Sequence, residues 1–267
     1  MEKNVLRKLS AIFAFVCFIV MVVVNGLANG LPLNGVNTGQ LSDDIPNLFV
    51  PAGVTFSIWG LIYALLLGYV LFTLIAAFTK KQNTNWQAPD GLLFSINALC
   101  NAAWIFAWHW RLIGLSVVIM FCILATLIIL LERGYKKSEI QKTSKVQNFF
   151  LWQPLLVYLG WICVATIANI TALLVTLGWN GFGIPELWWT VFVIIVGTVI
   201  GISLVLKRGA VASGLVFIWA YAGIVLKRNS VDPSQTMPII VAAIVGAILV
   251  LASIKIAIIS NRRILKN

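Results

Sequence analysis

The stretch YLGWICVATIAN, residues 158–169, decides the fold because it places polar and aromatic side chains inside an apolar run. One face of a helix here, about 80° wide at ~100° per residue, holds Tyr158, Trp161, Ala165 and Asn169. Lipid offers no hydrogen-bond partner for the Asn169 amide. We therefore expect this face to point into a bundle of membrane helices.

The composition places the whole chain in a bilayer. Of the 267 residues, 61% are hydrophobic and 10% are charged, and a soluble domain of this size could not cover so much apolar surface. Every acidic residue lies at a terminus or between apolar runs, which argues against a proton-coupled pump built on a buried carboxylate. The chain has one histidine, so no metal site of histidines and carboxylates is expected.

Eight apolar runs are long enough to cross a membrane, which predicts an all-α integral membrane protein. They are residues 9–28, 52–78, 91–108, 113–132, 148–176, 187–206, 210–226 and 238–259. The +11 net charge does not indicate a nucleic-acid partner, because the basic residues cluster at the ends of these runs. Their distribution predicts a multi-pass protein of the cell membrane with both termini in the cytoplasm. Lys227 and Arg228, in a predicted outer loop, are the exception.

The second and third predicted helices carry faces of the same kind as the fifth. They consist of Phe56, Trp59 and Tyr63 on the second helix, and Asn97, Asn101, Trp104 and Trp108 on the third. Three inward faces of aromatic rings and amides suit a cavity for a large flat ligand. With the N-terminus in the cytoplasm, the direction in which each helix crosses the membrane puts this cavity in the outer half, below an external loop at 30–50.

Other interpretations of these residues stay open. Helix packing alone could explain Trp59, Trp104 and Trp161, and hydrogen bonds between helices could explain Asn101 and Asn169. The remaining tryptophans near the ends of the runs are expected in the aromatic belts of the membrane interface. They are Trp108, Trp110, Trp179, Trp188 and Trp189.

In order and spacing, the three faces resemble helix motifs of the translocator protein, or tryptophan-rich sensory protein, family. The matching elements are Pro51…Trp59-x-x-x-Tyr63, Asn101-x-x-Trp104 and Tyr158-x-x-Trp161-x-x-x-Ala165-x-x-x-Asn169. The resemblance covers the first five helices, about residues 1–178. Most members end after five helices, so the chain is similar to a longer, divergent member whose residues 179–267 form a three-helix extension.

The resemblance implies a five-helix bundle that binds porphyrins such as haem or protoporphyrin, with sterol-like ligands in some members. The pocket would be lined by Trp59, Tyr63, Asn101, Trp104, Trp161, Ala165 and Asn169. By analogy with members that degrade porphyrin in light, Trp59 and Trp161 are the candidates for such chemistry. No nucleophile–base pair or carboxylate pair accompanies them, so we predict no catalytic residues and no obligatory cofactor. Membrane lipid and a second copy of the chain are the other expected partners.

His109 could be an axial ligand of haem iron, but its position beside Trp110 and Arg111 favours a histidine at the membrane interface. Two other functions compete with ligand sensing. One is a transporter or permease for a small hydrophobic solute, which would be indicated by a broken helix or an ionisable residue at the midplane. The other is a membrane scaffold whose partner binds helices six to eight.

Overall fold

The computed structural model describes residues 2–31, 33–79, 86–140, 144–231 and 233–264. Within these ranges the chain is helical and contains no strand. Eight of its helices are long and apolar enough to cross a membrane. The predicted all-α membrane architecture is therefore confirmed.

The helices follow one another with short connections. In chain order they are α1 Glu2–Gly30, α2 Thr38–Asp43, α3 Ile58–Phe78, α4 Ala88–His109, α5 Ile113–Ile140, α6 Lys145–Thr176, α7 Glu186–Arg208, α8 Val211–Val231 and α9 Pro233–Ile264. All except α2 have at least the ~20 residues that a bilayer core requires. Short 3₁₀ turns lie at Leu33–Gly35, Gly53–Ser57 and Gly181–Gly183.

The chain forms two compact units. Unit 1 comprises Met1–Leu41 and Trp59–Leu155, and unit 2 comprises Ser42–Ile58 and Leu156–Asn267. Helix α6 contributes its first residues to unit 1 and the rest to unit 2. The predicted division at residue 178 into a five-helix ligand-binding bundle and a three-helix extension stays a prediction.

In unit 1, α4 packs between α1 and α5. Gly91 lets α1 approach closely, since a Cβ atom there would overlap the Ser10 side chain. The freed space is used by a hydrogen bond from Ser10 Oγ to the carbonyl of Ala88 at 2.8 Å. The start of α4 is thereby fixed against α1.

A buried carboxylate joins the start of α4 to the end of α5. Asp90 is 4% exposed and accepts from the backbone N–H of Gln87 at 2.7 Å. It also pairs with Arg133 at 2.8 Å and with Lys137. A negative charge in the first turn of a helix is favourable in itself, and two cations from α5 offset its desolvation.

In unit 2, α7, α8 and α9 pack against one another. Gly197 faces the Tyr221 hydroxyl, which would lie 2.8 Å from a Cβ atom at that position. That hydroxyl donates to the carbonyl of Ile194 at 3.0 Å and lies 3.1 Å from Thr198 Oγ1. A glycine therefore makes room for a buried tyrosine that binds the neighbouring helix.

The segment before α3 also belongs to unit 2 and packs on α8. The N–H of Ala52 donates to the carbonyl of Gly223 at 3.0 Å, and Trp219 Nε1 donates to the carbonyl of Thr55 at 2.9 Å. Because Gly223 has no side chain, the Thr55 side chain can lie directly against the backbone of α8.

Candidate functional site

The predicted residues of α3 form an aromatic pair. Trp59 and Tyr63 lie one turn apart, with ring centroids 5.5 Å apart and planes inclined by 17°. Both side chains are half-buried. This near-parallel stack is a flat apolar surface of the kind that a planar ligand can extend.

The predicted residues of α4 are buried and have partners within unit 1. Asn101 is 2% exposed, and its Oδ1 accepts from Asn25 Nδ2 of α1 at 2.8 Å. Trp104 stacks on Trp108 with centroids 5.3 Å apart. The hydrogen bond between helices that was one interpretation of Asn101 is thus present, and it accounts for the burial of this amide oxygen.

Trp108 differs from the prediction that it lies in an aromatic belt. It is buried, and its Nε1 donates to the carbonyl of Thr38 at 3.4 Å. The first part of the predicted external loop is held at the same end of α4, where Asn34 Nδ2 donates to the carbonyl of His109 at 3.0 Å. These contacts bury the indole within unit 1.

The predicted residues of α6 lie in unit 2. Trp161 is buried and meets Phe56 edge to face, with centroids 5.9 Å apart and planes at 85°. Asn169 is also buried, and Ala165 is half-buried. The inward orientation expected for this face agrees with that burial.

The structure brings the predicted residues together in three groups, one on each helix. They are Trp59 and Tyr63 on α3, Asn101 and Trp104 on α4, and Trp161, Ala165 and Asn169 on α6. A single ligand contacting all seven remains a prediction.

Unit 2 contains a large cavity that the sequence did not indicate. It has a volume of about 640 Å³ and lies between the second half of α6, the following connection and the first half of α7. We call it the apolar cavity; its walls include Ile170, Leu174, Trp179, Trp189, Phe192 and Val196. Its size falls in the range of roughly 300–1,000 Å³ that small-molecule pockets occupy.

A tight connection shapes the apolar cavity. Gly181 has φ +62°, a conformation that glycine adopts without steric cost. Its carbonyl accepts from Trp189 Nε1 at 2.8 Å, and the Trp179 and Trp189 ring centroids are 5.0 Å apart. Both tryptophans were expected in an aromatic belt, yet they form one end of this cavity. The sequence could not show that they line a cavity, because tryptophans of an aromatic belt also lie close to a helix end. The conformation of the connection between α6 and α7 shows it.

A smaller polar cavity of about 200 Å³ also lies in unit 2, and we call it the polar cavity. Its charged lining residues are Asp43, Glu186, Lys227 and Arg228. Lys227 Nζ lies 2.6 Å from Asp43 Oδ1, and Glu186 Oε1 accepts from the N–H of Leu48 at 2.7 Å. Lys227 and Arg228, the basic residues that were unexpected in a predicted outer loop, therefore lie beside two carboxylates.

His109 has both ring nitrogens engaged. Its Nδ1 lies 2.9 Å from the carbonyl of Leu33, which can only accept, so Nδ1 carries the proton. Its Nε2 lies 3.1 Å from the Thr38 hydroxyl. No ring nitrogen is left for iron. Across the described ranges, no three histidine, cysteine, aspartate or glutamate side chains are grouped so that they could hold a metal ion.

Comparison with known families identifies the chain's relatives. A family model described as "TSPO-like protein" matches residues 11–256. No curated protein and no solved structure matches the chain significantly. The matched range includes the last three helices as well as the first five, so the model extends beyond the motifs that carried the resemblance. The resemblance is confirmed: this multi-pass membrane protein belongs to the TSPO-like protein family.

Proposed function

We propose that this protein binds a hydrophobic planar ligand of the tetrapyrrole class and acts as a membrane sensor for it. The observation that carries the proposal is the Trp59–Tyr63 stack on α3, whose rings are nearly parallel and only half-buried. A macrocycle gains both apolar contact and offset stacking when it extends such a pair. The chain also belongs to the TSPO-like protein family, and its resemblance to the translocator protein motifs implies the same class of ligand.

The proposed site consists of the residues predicted from the three helix faces. They are Trp59, Tyr63, Asn101, Trp104, Trp161, Ala165 and Asn169. Asn101, Trp104, Trp161 and Asn169 are buried against other parts of the protein, so a ligand that contacts them must displace some of this packing, whereas Trp59 and Tyr63 are half-buried. Two carboxamides among aromatic rings can orient the polar edge of a ligand, while the rings contribute most of the contact area.

Titration of the purified protein with protoporphyrin tests this function. We expect saturable quenching of tryptophan fluorescence together with a shift of the Soret band. Replacing Trp161 by Phe and Asn169 by Ala should weaken binding. The first change reduces the aromatic area that contacts the ligand, and the second removes an amide that can hydrogen-bond to it.

Trp188→Phe is the matched control, because Trp188 is exposed and lies outside the proposed site. It should bind protoporphyrin as the wild type does. Unchanged affinity in the Trp161→Phe, Asn169→Ala double variant would refute the proposed site. Absence of saturable binding by the wild type would refute the proposed ligand class.

A further inference from the structure

Arg228 is a buried cation in the polar cavity. It is 6% exposed, and its Nε is buried with no hydrogen-bond acceptor among the residues that the structure describes. Within the same part of the chain its guanidinium forms no ion pair. Burying a charged donor without a partner is costly, and a guanidinium is never neutral at ordinary pH. An acceptor supplied by a ligand would offset this cost.

The two carboxylates nearby are already engaged elsewhere. Asp43 pairs with Lys227 at 2.6 Å. Glu186 accepts from the N–H of Leu48 and lies in the first turn of α7, where the helix dipole stabilises a negative charge. Both attract Arg228 at longer range without bonding to it. Neither of these two described carboxylates therefore bonds directly to Arg228.

The volume of the polar cavity leaves room for that partner. About 200 Å³ is many times the space that one water molecule needs, enough for a carboxylate or a phosphodiester group. Arginine binds both with paired N–H donors. A second negative charge would lie close to Asp43 and Glu186, so a singly charged head is favoured.

Glu186 connects this polar cavity to the apolar one, because it is a lining residue of both. On one side are Lys227 and Arg228, and on the other are Trp179, Trp189 and aliphatic side chains. Polar and apolar spaces that share a wall fit a molecule with a charged head and a hydrocarbon body.

We propose that the two cavities form one binding site for an amphiphile with a single negative charge, whose head binds Arg228 and whose apolar part fills the space beside Trp179 and Trp189. This site shares no residue with the tetrapyrrole site proposed above and does not depend on it. Its head group is a carboxylate or a phosphodiester, which a free fatty acid or an anionic membrane phospholipid would supply.

Brominated lipids test the proposal, because bromine quenches tryptophan on contact. The full-length protein in phosphatidylcholine nanodiscs is titrated with dibromostearate and, separately, with its uncharged methyl ester. We expect the acid to produce a saturable quenching component that the ester lacks, and this component should disappear in the Trp179→Phe, Trp189→Phe variant. Equal quenching by acid and ester in the wild type would overturn the proposal without any variant.

The role of Arg228 is tested by Arg228→Gln, which should weaken binding of the acid by at least about tenfold, the effect of losing a charged hydrogen bond. Lys207→Gln is the matched control, since this exposed cation in the last turn of α7 lines neither cavity and should change the affinity less than about threefold. Equal losses in the two variants, or none in Arg228→Gln, would refute the assignment of the head-group site.

A third arm distinguishes the two sources of the head group. Brominated phosphatidylglycerol carries one phosphodiester charge, whereas brominated phosphatidylcholine is zwitterionic. Quenching by phosphatidylglycerol in preference to phosphatidylcholine would identify a membrane lipid as a ligand of the site, and quenching by the acid alone would identify a free carboxylate. If neither anionic compound gives a saturable component, the site does not exist.

Discussion

Lys227 and Asp43 form an ion pair of 2.6 Å that joins the last turns of α8 to the end of α2. The pair lies at the edge of the polar cavity. Next to it, the segment leading into α3 is held to α8 by the hydrogen bonds of Ala52 and Trp219. The charged end of α8 is thus covered by chain that lies far before it in the sequence. A basic pair on the predicted outer side is tolerated because carboxylates from this segment and from α7 lie beside it.

Gly223→Ala should loosen this attachment. A Cβ atom at Gly223 would overlap the Thr55 hydroxyl and lie 3.0 Å from Pro51 Cβ, so the segment must shift on α8. We expect the free energy of unfolding to fall by about 1–3 kcal/mol, the usual cost of overpacking. Denaturant titration in detergent micelles measures the change.

Gly26→Ala is the control for that substitution. Gly26 lies in α1, and a Cβ atom added there would meet nothing within 4 Å. Alanine also favours a helix over glycine by up to ~1 kcal/mol, so this variant should be neutral or slightly more stable. A loss in Gly26→Ala as large as that in Gly223→Ala would show that the tight contact with Thr55 is not the cause.

Asp90→Asn should destabilise unit 1 more than any exposed carboxylate change. Asp90 is buried between Arg133 and Lys137, and the substitution removes the charge with which both cations pair. We expect a loss of about 2–4 kcal/mol in the free energy of unfolding, somewhat below the roughly 3–5 kcal/mol typical of fully buried pairs because Arg133 is partly exposed. Asp43→Asn breaks an ion pair with a 48% exposed carboxylate and should cost less than about 1 kcal/mol. Similar losses in the two variants would contradict the burial argument.

The membrane spans could be predicted from the sequence because bilayer thickness fixes how long an apolar run must be. The inward face of α6 was also predictable, since an amide such as Asn169 has no partner in lipid. Its burial and that of Trp161 agree with this reasoning.

What the sequence did not reveal depends on contacts between distant segments. Trp108 is buried because the carbonyl of Thr38, 70 residues away, accepts its indole N–H. Trp179 and Trp189 line a cavity because Gly181 adopts a left-handed conformation that turns the chain back towards α7. Helical periodicity describes one helix at a time and carries neither kind of information. The sequence showed Arg228 only as a basic residue in a predicted outer loop. The structure shows instead that it is buried in a cavity beside carboxylates.

His109→Leu should lower stability without changing haem spectra. The substitution leaves the carbonyl of Leu33 and the hydroxyl of Thr38 without their ring partner, at a cost of about 1–3 kcal/mol in the free energy of unfolding. Because both ring nitrogens are engaged within unit 1, iron should not be coordinated by this residue. Absorption spectra of haem-loaded wild type and variant should coincide; a shifted Soret band in the variant would show that His109 leaves its partners to bind iron.

Asn101→Ala and Asn25→Ala distinguish helix packing from ligand contact. Each substitution breaks the same 2.8 Å hydrogen bond between α1 and α4, so the losses of stability should be similar and non-additive, with a coupling of about 0.5–3 kcal/mol in a double-mutant cycle. If the proposed tetrapyrrole site is correct, only Asn101→Ala also removes a group that contacts the ligand. Its affinity for protoporphyrin should then fall well below that of Asn25→Ala, although the two proteins unfold at similar denaturant concentrations. Equal affinities at equal stability would assign Asn101 to helix packing alone and leave the aromatic residues to define the site.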